Sequence, residues 1–164
     1  MKRLFIAAIA LLIFTGAVWA EMPQYTELAK NLVDLSGWNA QEPTGMNMAG
    51  PGGDMVMAAR EYENSGKKIT AQILTGGTAQ GAWAPFMGGY AIDTPEQLFK
   101  TVQSSAYQVG ISHSKMEDTG SIIVPLKTGD KVAMFILTYE GMSYEESLEL
   151  AKRFSWKEIE KAFK

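Results

Sequence analysis

The sequence contains no cysteine and one histidine, His113. The first absence excludes a disulfide framework, thiolate metal sites, thiol catalysis and a lipid-bearing cysteine behind a leader peptide. The second excludes a zinc centre built from three or four nitrogen ligands. Clustered positive charge is missing as well: 15 Lys and Arg stand against 18 Asp and Glu, for a formal net charge of −3. Without basic clusters there is no footprint for nucleic acid as a partner, nor for an anionic membrane surface. Catalytic signatures are absent in the same way. No HExxH and no GxGxxG occurs, and the Gly-rich "TGGTAQG" at 75–81 lacks the Gly-Lys-Ser/Thr end of a phosphate loop. Nothing in the sequence identifies an enzyme.

What is present begins with a targeting pattern. Lys2 and Arg3 precede an apolar run at 4–14, and Val18, Trp19 and Ala20 place small residues where a signal peptidase reads. The apolar run is shorter than the roughly 20 residues a spanning helix needs. A cleavable signal peptide at 1–20 is therefore expected, giving a periplasmic or secreted protein that is not a lipoprotein and keeps no stable membrane anchor. Loss of Lys2 and Arg3 makes the mature chain more acidic. Residues 21–164 are expected to form one domain, long enough to bury a core by packing alone.

Periodicity along 21–164 alternates between the two classes of element. Tyr25, Leu28, Leu32 and Leu35 recur at helical spacing, with Gly37 as a stop. A brief strand is expected around Trp38, then a Gly/Pro-rich loop. Strands at 55–63 and 67–75 flank "NSGK", whose Asn, Ser and Gly are hairpin-turn residues. The connector at 76–93 has no clear period. At 94–110 Thr94, Pro95 and Gln97 carry helix-start chemistry, and Leu98, Val102 and Tyr107 lie close to one helical face, so a helix is expected there. Strands follow at 111–118, 121–127 and 131–140, with "KTGD" as the turn before the last. That last strand reads as apolar on both faces. Two capping boxes, Ser143-x-x-Glu146 and Ser155-x-x-Glu158, open closing helices. The expectation is a single α+β domain: a mostly antiparallel sheet of about five or six strands with helices packed on it, including a C-terminal helix.

The strings "GWNAQEPTG" (37–45), "MVMAAREYEN", "KKITAQILTG", "TPEQLFKTV" (94–102) and "SLELAKRF", in this order, resemble the PsbP-like family of small α/β/α domains. The resemblance implies that fold over most of the mature chain. It also implies an accessory or binding role, since members serve as photosystem subunits, as a nucleotide-release factor for a small GTPase and as bacterial envelope proteins. It implies no reaction.

Four residue groups are candidates for function. "GMNMAGPGGDMVM" (45–57) holds two Met-x-Met pairs on either side of a Gly/Pro turn. Thioether sulfur suits Cu(I) or Ag(I). A turn that folds one pair onto the other would present Met46, Met48, Met55 and Met57 together, with His113 as a conceivable fifth ligand. Methionine is more commonly an adaptable core filler or a contact surface. The second group is Trp83, Phe86, Met87 and Tyr90 in "GAWAPFMGGY", aromatic residues on a Gly-rich connector that would grip a small apolar ligand or a partner protein of the envelope, or else plug the edge of the core. The third, His113 alone, is more often a satisfied structural histidine than a ligand or a proton carrier. The fourth, Glu61 and Glu63 on one strand face, more often marks a solvated sheet than acid/base machinery. Binding by loops to a partner protein or a small apolar ligand is the leading expectation, with no cofactor. The alternative is a soft-metal protein using the methionines and Cu(I). The first predicts that the aromatic connector and the methionine loop share one exposed patch, the second that the sulfurs converge.

Overall fold

A computed structural model describes residues 22–50, 53–129 and 131–164; the expected signal peptide lies outside the described residues. The "NSGK" segment folds as its turn chemistry requires. Ser65 and Gly66 both take positive φ, and Asn64 faces Lys67 across a two-residue turn. That turn joins β3 (Met55–Asn64) to β4 (Lys67–Thr75). Thr75, fully buried, extends the ladder with its side chain: its Oγ1 accepts from the Val56 amide at 2.6 Å and donates to the Val56 carbonyl at 3.2 Å.

Around this hairpin the chain builds one antiparallel sheet of nine strands, ordered β1-β3-β4-β9-β8-β7-β6-β5, with β2 also on β3. The remaining strands are β1 (Asn39–Ala40), β2 (Thr44–Met48), β5 (Ile92–Asp93), β6 (Gln97–Ser104), β7 (Tyr107–Ser114), β8 (Thr119–Pro125) and β9 (Ala133–Glu140). Helices α1 (Tyr25–Ala29), α3 (Tyr144–Ala151) and α4 (Trp156–Lys161) pack on one face, called inner here. The inner core stacks Val56, Ile73, Ile111, Ile122, Phe135 and Leu137 against Leu28, Leu150, Phe154 and Ile159. Arg60 ties the N-terminal segment to it. Its guanidinium donates to the Leu32 and Gln41 carbonyls and to Asp34, at 2.6–2.8 Å.

Among the described residues the opposite, outer face carries only α2 (Gly76–Trp83) and a 3₁₀ turn at Ala84–Phe86. These cover a smaller core of Leu74, Ile123, Met134 and Ile136. No described residue covers the rest of that face, where Glu61, Glu63, Lys68, Thr138 and Glu140 are exposed.

Five expectations need correction. The helix expected through Leu35 ends at Ala29, and the loop expected after the Trp38 strand contains β2. The sheet has nine strands where five or six were expected. The segment 76–83, assigned no period, is helical. The segment 94–110 is not a helix but the β6–β7 hairpin, turning at Ser105 with φ of 54°. Its start chemistry is used all the same. Thr94 Oγ1 accepts from the Glu96 and Gln97 amides, as an N-cap would, while the Thr94 amide donates to the Gln97 carbonyl across the bend that joins β5 to β6. Tertiary packing decides the outcome. Phe99, pointing out, stacks on Phe86 at 4.3 Å, while Val102, pointing in, packs on the inner core. The two capping boxes also divide. Ser143 Oγ accepts from the Glu146 amide at 3.2 Å, whereas the Ser155 side chain makes no cap bond.

Candidate functional site: a methionine hairpin on the sheet edge

β2 pairs antiparallel with β3. The register sets Met46 directly opposite Met57 and Met48 directly opposite Met55. Directly opposed residues point to the same side of a sheet, with Cβ atoms about 4.5–5.5 Å apart. Residues two apart on a strand share that side as well. All four thioethers therefore stand together on the outer face. Met46 and Met48 are 43% and 54% exposed, whereas Met55 and Met57 are half-buried. Met57 packs against the outer core, and Met55 Sδ accepts a hydrogen bond from Thr78 Oγ1 at 3.1 Å.

The hairpin is held down from the inner side. A Cβ at Gly45 would run into the Met57 carbonyl oxygen and the Tyr25 ring, so only glycine lets α1 lie this close to β2. Asn47 completes the attachment. Its Oδ1 accepts from the Tyr25 amide at 2.8 Å, and its Nδ2 donates to the Gln24 side chain. Residues 44–48 contain no charge, no proline and no lysine, the usual guards of a sheet edge.

His113 is not brought to the methionines. It sits on β7 facing the inner core, 8% exposed, with Nδ1 within hydrogen-bond reach of the Tyr139 hydroxyl (3.1 Å) and the Thr119 carbonyl (3.2 Å). Gly120 stands between His113 and Tyr139 in the cross-strand register, and a Cβ there would meet the tyrosine hydroxyl at 2.5 Å. The glycine is the opening through which the two rings reach each other. Burial raises the Tyr139 pKa above its ordinary value, so the phenol stays neutral. His113 is thus held among inner-face partners, and the face it occupies keeps it from joining the four methionines as a fifth ligand.

The aromatic connector divides. Phe86 is buried between Trp83 and Phe99, with ring centroids 5.3 and 4.3 Å away, and so plugs the outer core. Met87 and Tyr90 are 72% and 73% exposed. They lead to β5 at the far edge, seven strand spacings from β2, on the order of 30 Å. The connector is thus split: Trp83 packs with Met57 on the outer core, while Met87 and Tyr90 lie on the segment that leads to β5. Four concavities among the described residues are lined mainly by polar side chains.

Among the described residues no three His, Asp or Glu side chains converge as a hard-metal site requires, and no helix is long and apolar enough to cross a membrane. No family model, curated protein or solved structure matches the chain. The likeness to PsbP-like domains thus rests on the quoted strings alone, and one of these, "TPEQLFKTV", forms a strand rather than the helix its start chemistry implied. Sequence reasoning missed Thr78 as the partner of Met55 and Gly45 as the enabling residue. Neither has a local signal, because each acts on a residue distant in the chain.

Proposed function

We propose that the chain is an exported, non-enzymatic binding protein of the bacterial envelope whose ligand is a soft monovalent cation, Cu(I) or Ag(I), held by the methionine hairpin. The observation that carries this reading is the register of β2 on β3, which opposes Met46 with Met57 and Met48 with Met55. Packing alone does not need two exposed methionines directly across from two half-buried ones. Neutral thioethers favour soft ions over hard ones, and a cysteine-free protein has no other soft donor to offer. Met46 and Met48 are the entry ligands. Met55 and Met57 stand behind them, Met55 exchanging the Thr78 hydroxyl for the metal.

The test is an anaerobic Cu(I) titration of residues 21–164 against a colorimetric chelator, with Zn(II) as a hard-ion control. One equivalent of Cu(I) withheld from the chelator is expected, with no comparable Zn(II) step. Met46→Leu with Met48→Leu keeps volume while removing sulfur and is expected to abolish the step. If the chelator keeps all the copper from the unaltered protein, the metal reading is wrong. A second reading, docking of an envelope partner protein, is favoured by the exposed Met87 and Tyr90 beside β5. It predicts capture of that partner to be lost on Tyr90→Ser and untouched by the β2 substitutions.

A further inference from the structure

The uncovered half of the outer face forms a groove that the methionine reading leaves without a task. Two cross-strand rows line it. One runs Glu61, Thr70, Thr138, Ser121, Ser112 from β3 to β7; the other runs Glu63, Lys68, Glu140, Thr119, Ser114, Gln97 from β3 to β6. Three concavities of about 540, 230 and 440 Å³ adjoin along these rows. The first two share Lys68, Thr70 and Glu140, and the first and third share Glu117. They amount to one trough.

Charge in the trough is one-sided. Glu61, Glu63, Glu96, Glu117 and Glu140 face a single Lys68. None of these six takes part in any of the five ion pairs among the described residues, which all lie elsewhere. Carboxylates therefore outnumber the trough's one cation, Lys68, which stands directly opposite Glu63 and Glu140. The carboxylates are spread along the groove instead of converging, which suits several separated cations better than one metal ion. From β3 to β6 the groove crosses five strand spacings, about 24 Å. That is the reach of roughly seven extended residues.

We propose that this groove binds an extended, lysine- and arginine-bearing peptide segment of a partner protein, laid across the strands on the uncovered half of the outer face. The ammonium and guanidinium groups pair with Glu61, Glu63, Glu140 and Glu117 in turn, and the Thr and Ser hydroxyls between them accept the remaining N–H donors. Lys68 sets the spacing by repelling a cation placed midway between Glu63 and Glu140. The assignment is independent of the methionine site, so the copper titration and the peptide titration succeed or fail separately.

The experiment is fluorescence anisotropy with a labelled heptapeptide alternating lysine and serine, at low salt and at 0.5 M salt. Binding that weakens steeply with salt is expected. Glu61→Gln combined with Glu140→Gln is expected to weaken it about tenfold, two screened ion pairs being lost. Glu27→Gln with Glu149→Gln, which removes equal charge away from the groove, should leave it within about twofold. Circular dichroism and thermal melts establish that both variants fold. Equal weakening by the two variants would overturn the proposal in favour of general acidity. Spermine displacing the peptide at equal or lower concentration would overturn it in favour of a small polyamine, and absence of binding at low salt would end it.

Discussion

The inner and outer faces of the sheet are built from the same strands, one residue out of step, yet they are finished in different ways. On β9, Ala133, Phe135, Leu137 and Tyr139 point inward and are all buried under the helices. Met134 and Ile136 point outward and are buried under α2, whereas Thr138 and Glu140 continue the same row into solvent. On β9 the inner side is thus apolar along its length, while the outer side changes from apolar to polar halfway. Hydrophobic burial explains the inner face and the α2 half of the outer face. It does not explain why the sheet keeps an uncovered polar trough and a row of exposed thioethers at its edge. Those two features are where binding is sought.

The largest expected effect tests the asymmetry directly. Phe135→Ala, on the inner side of β9, is expected to cost about 3–5 kcal/mol, and Ile136→Ala on the outer side about 2–3 kcal/mol, measured as urea unfolding midpoints. Equal losses would mean that the outer core is no less central than the inner one. Next comes the tie between the inner face and the N-terminal segment. Arg60→Ala removes charge-assisted bonds to two carbonyls and is expected to cost about 2–3 kcal/mol. Hydrogen exchange should show the loss concentrated at residues 24–41. Protection unchanged there would assign the effect to lost packing alone.

A smaller effect appears at alkaline pH. Burial pushes the pKa of Tyr62 up to about 12, in part against the lowering pull of Arg60 beside it, and burial also pushes Tyr107 up to about 12. In the unfolded chain a tyrosine ionises near pH 10. Folding therefore holds these phenols neutral. The associated stability is complete below about pH 10 and is lost as pH rises through about 12. Unfolding between these values, followed by tyrosinate absorbance, should be shallower in Tyr62→Phe. At neutral pH that substitution costs about 1 kcal/mol through the lost bond to the Val33 carbonyl. Identical alkaline slopes in the two proteins would remove Tyr62 from this account.

How much of this was legible in the sequence follows from the range of the forces involved. The β3–β4 hairpin was readable because "NSGK" carries its own turn chemistry, and the Ser143 cap because the side chain and the amide it meets are three residues apart. The β6 strand was misread because Thr94, Pro95 and Gln97 serve a helix start and a tight turn equally well. Only Phe86, thirteen positions before Phe99, separates the two. The methionine pairs were visible as composition, and their mutual placement was offered as one possibility. Their register depends on Gly45 under Tyr25, which local pattern does not encode. The trough was invisible for the same reason. Glu61, Glu140 and Glu117 are far apart in the chain, and only the strand order makes them neighbours.

The smallest effect separates a groove kept for binding from one kept for stability. Glu61, Glu63 and Glu140 place three negative charges around one cation, Lys68, on the outer face, so replacing all three by glutamine is expected to leave stability unchanged or raise it by a few tenths of a kcal/mol. The gain should shrink in high salt, where the repulsion is already screened. A loss above about 1 kcal/mol would instead show that these carboxylates hold the strands through hydrogen bonds, since exposed substitutions without such a role stay within about half a kcal/mol. The trough would then be part of the fold's support, and the argument for a cationic peptide would lose its physical basis. A neutral or stabilising result leaves the charges without a structural reason to be there, the condition under which a binding role for them carries weight.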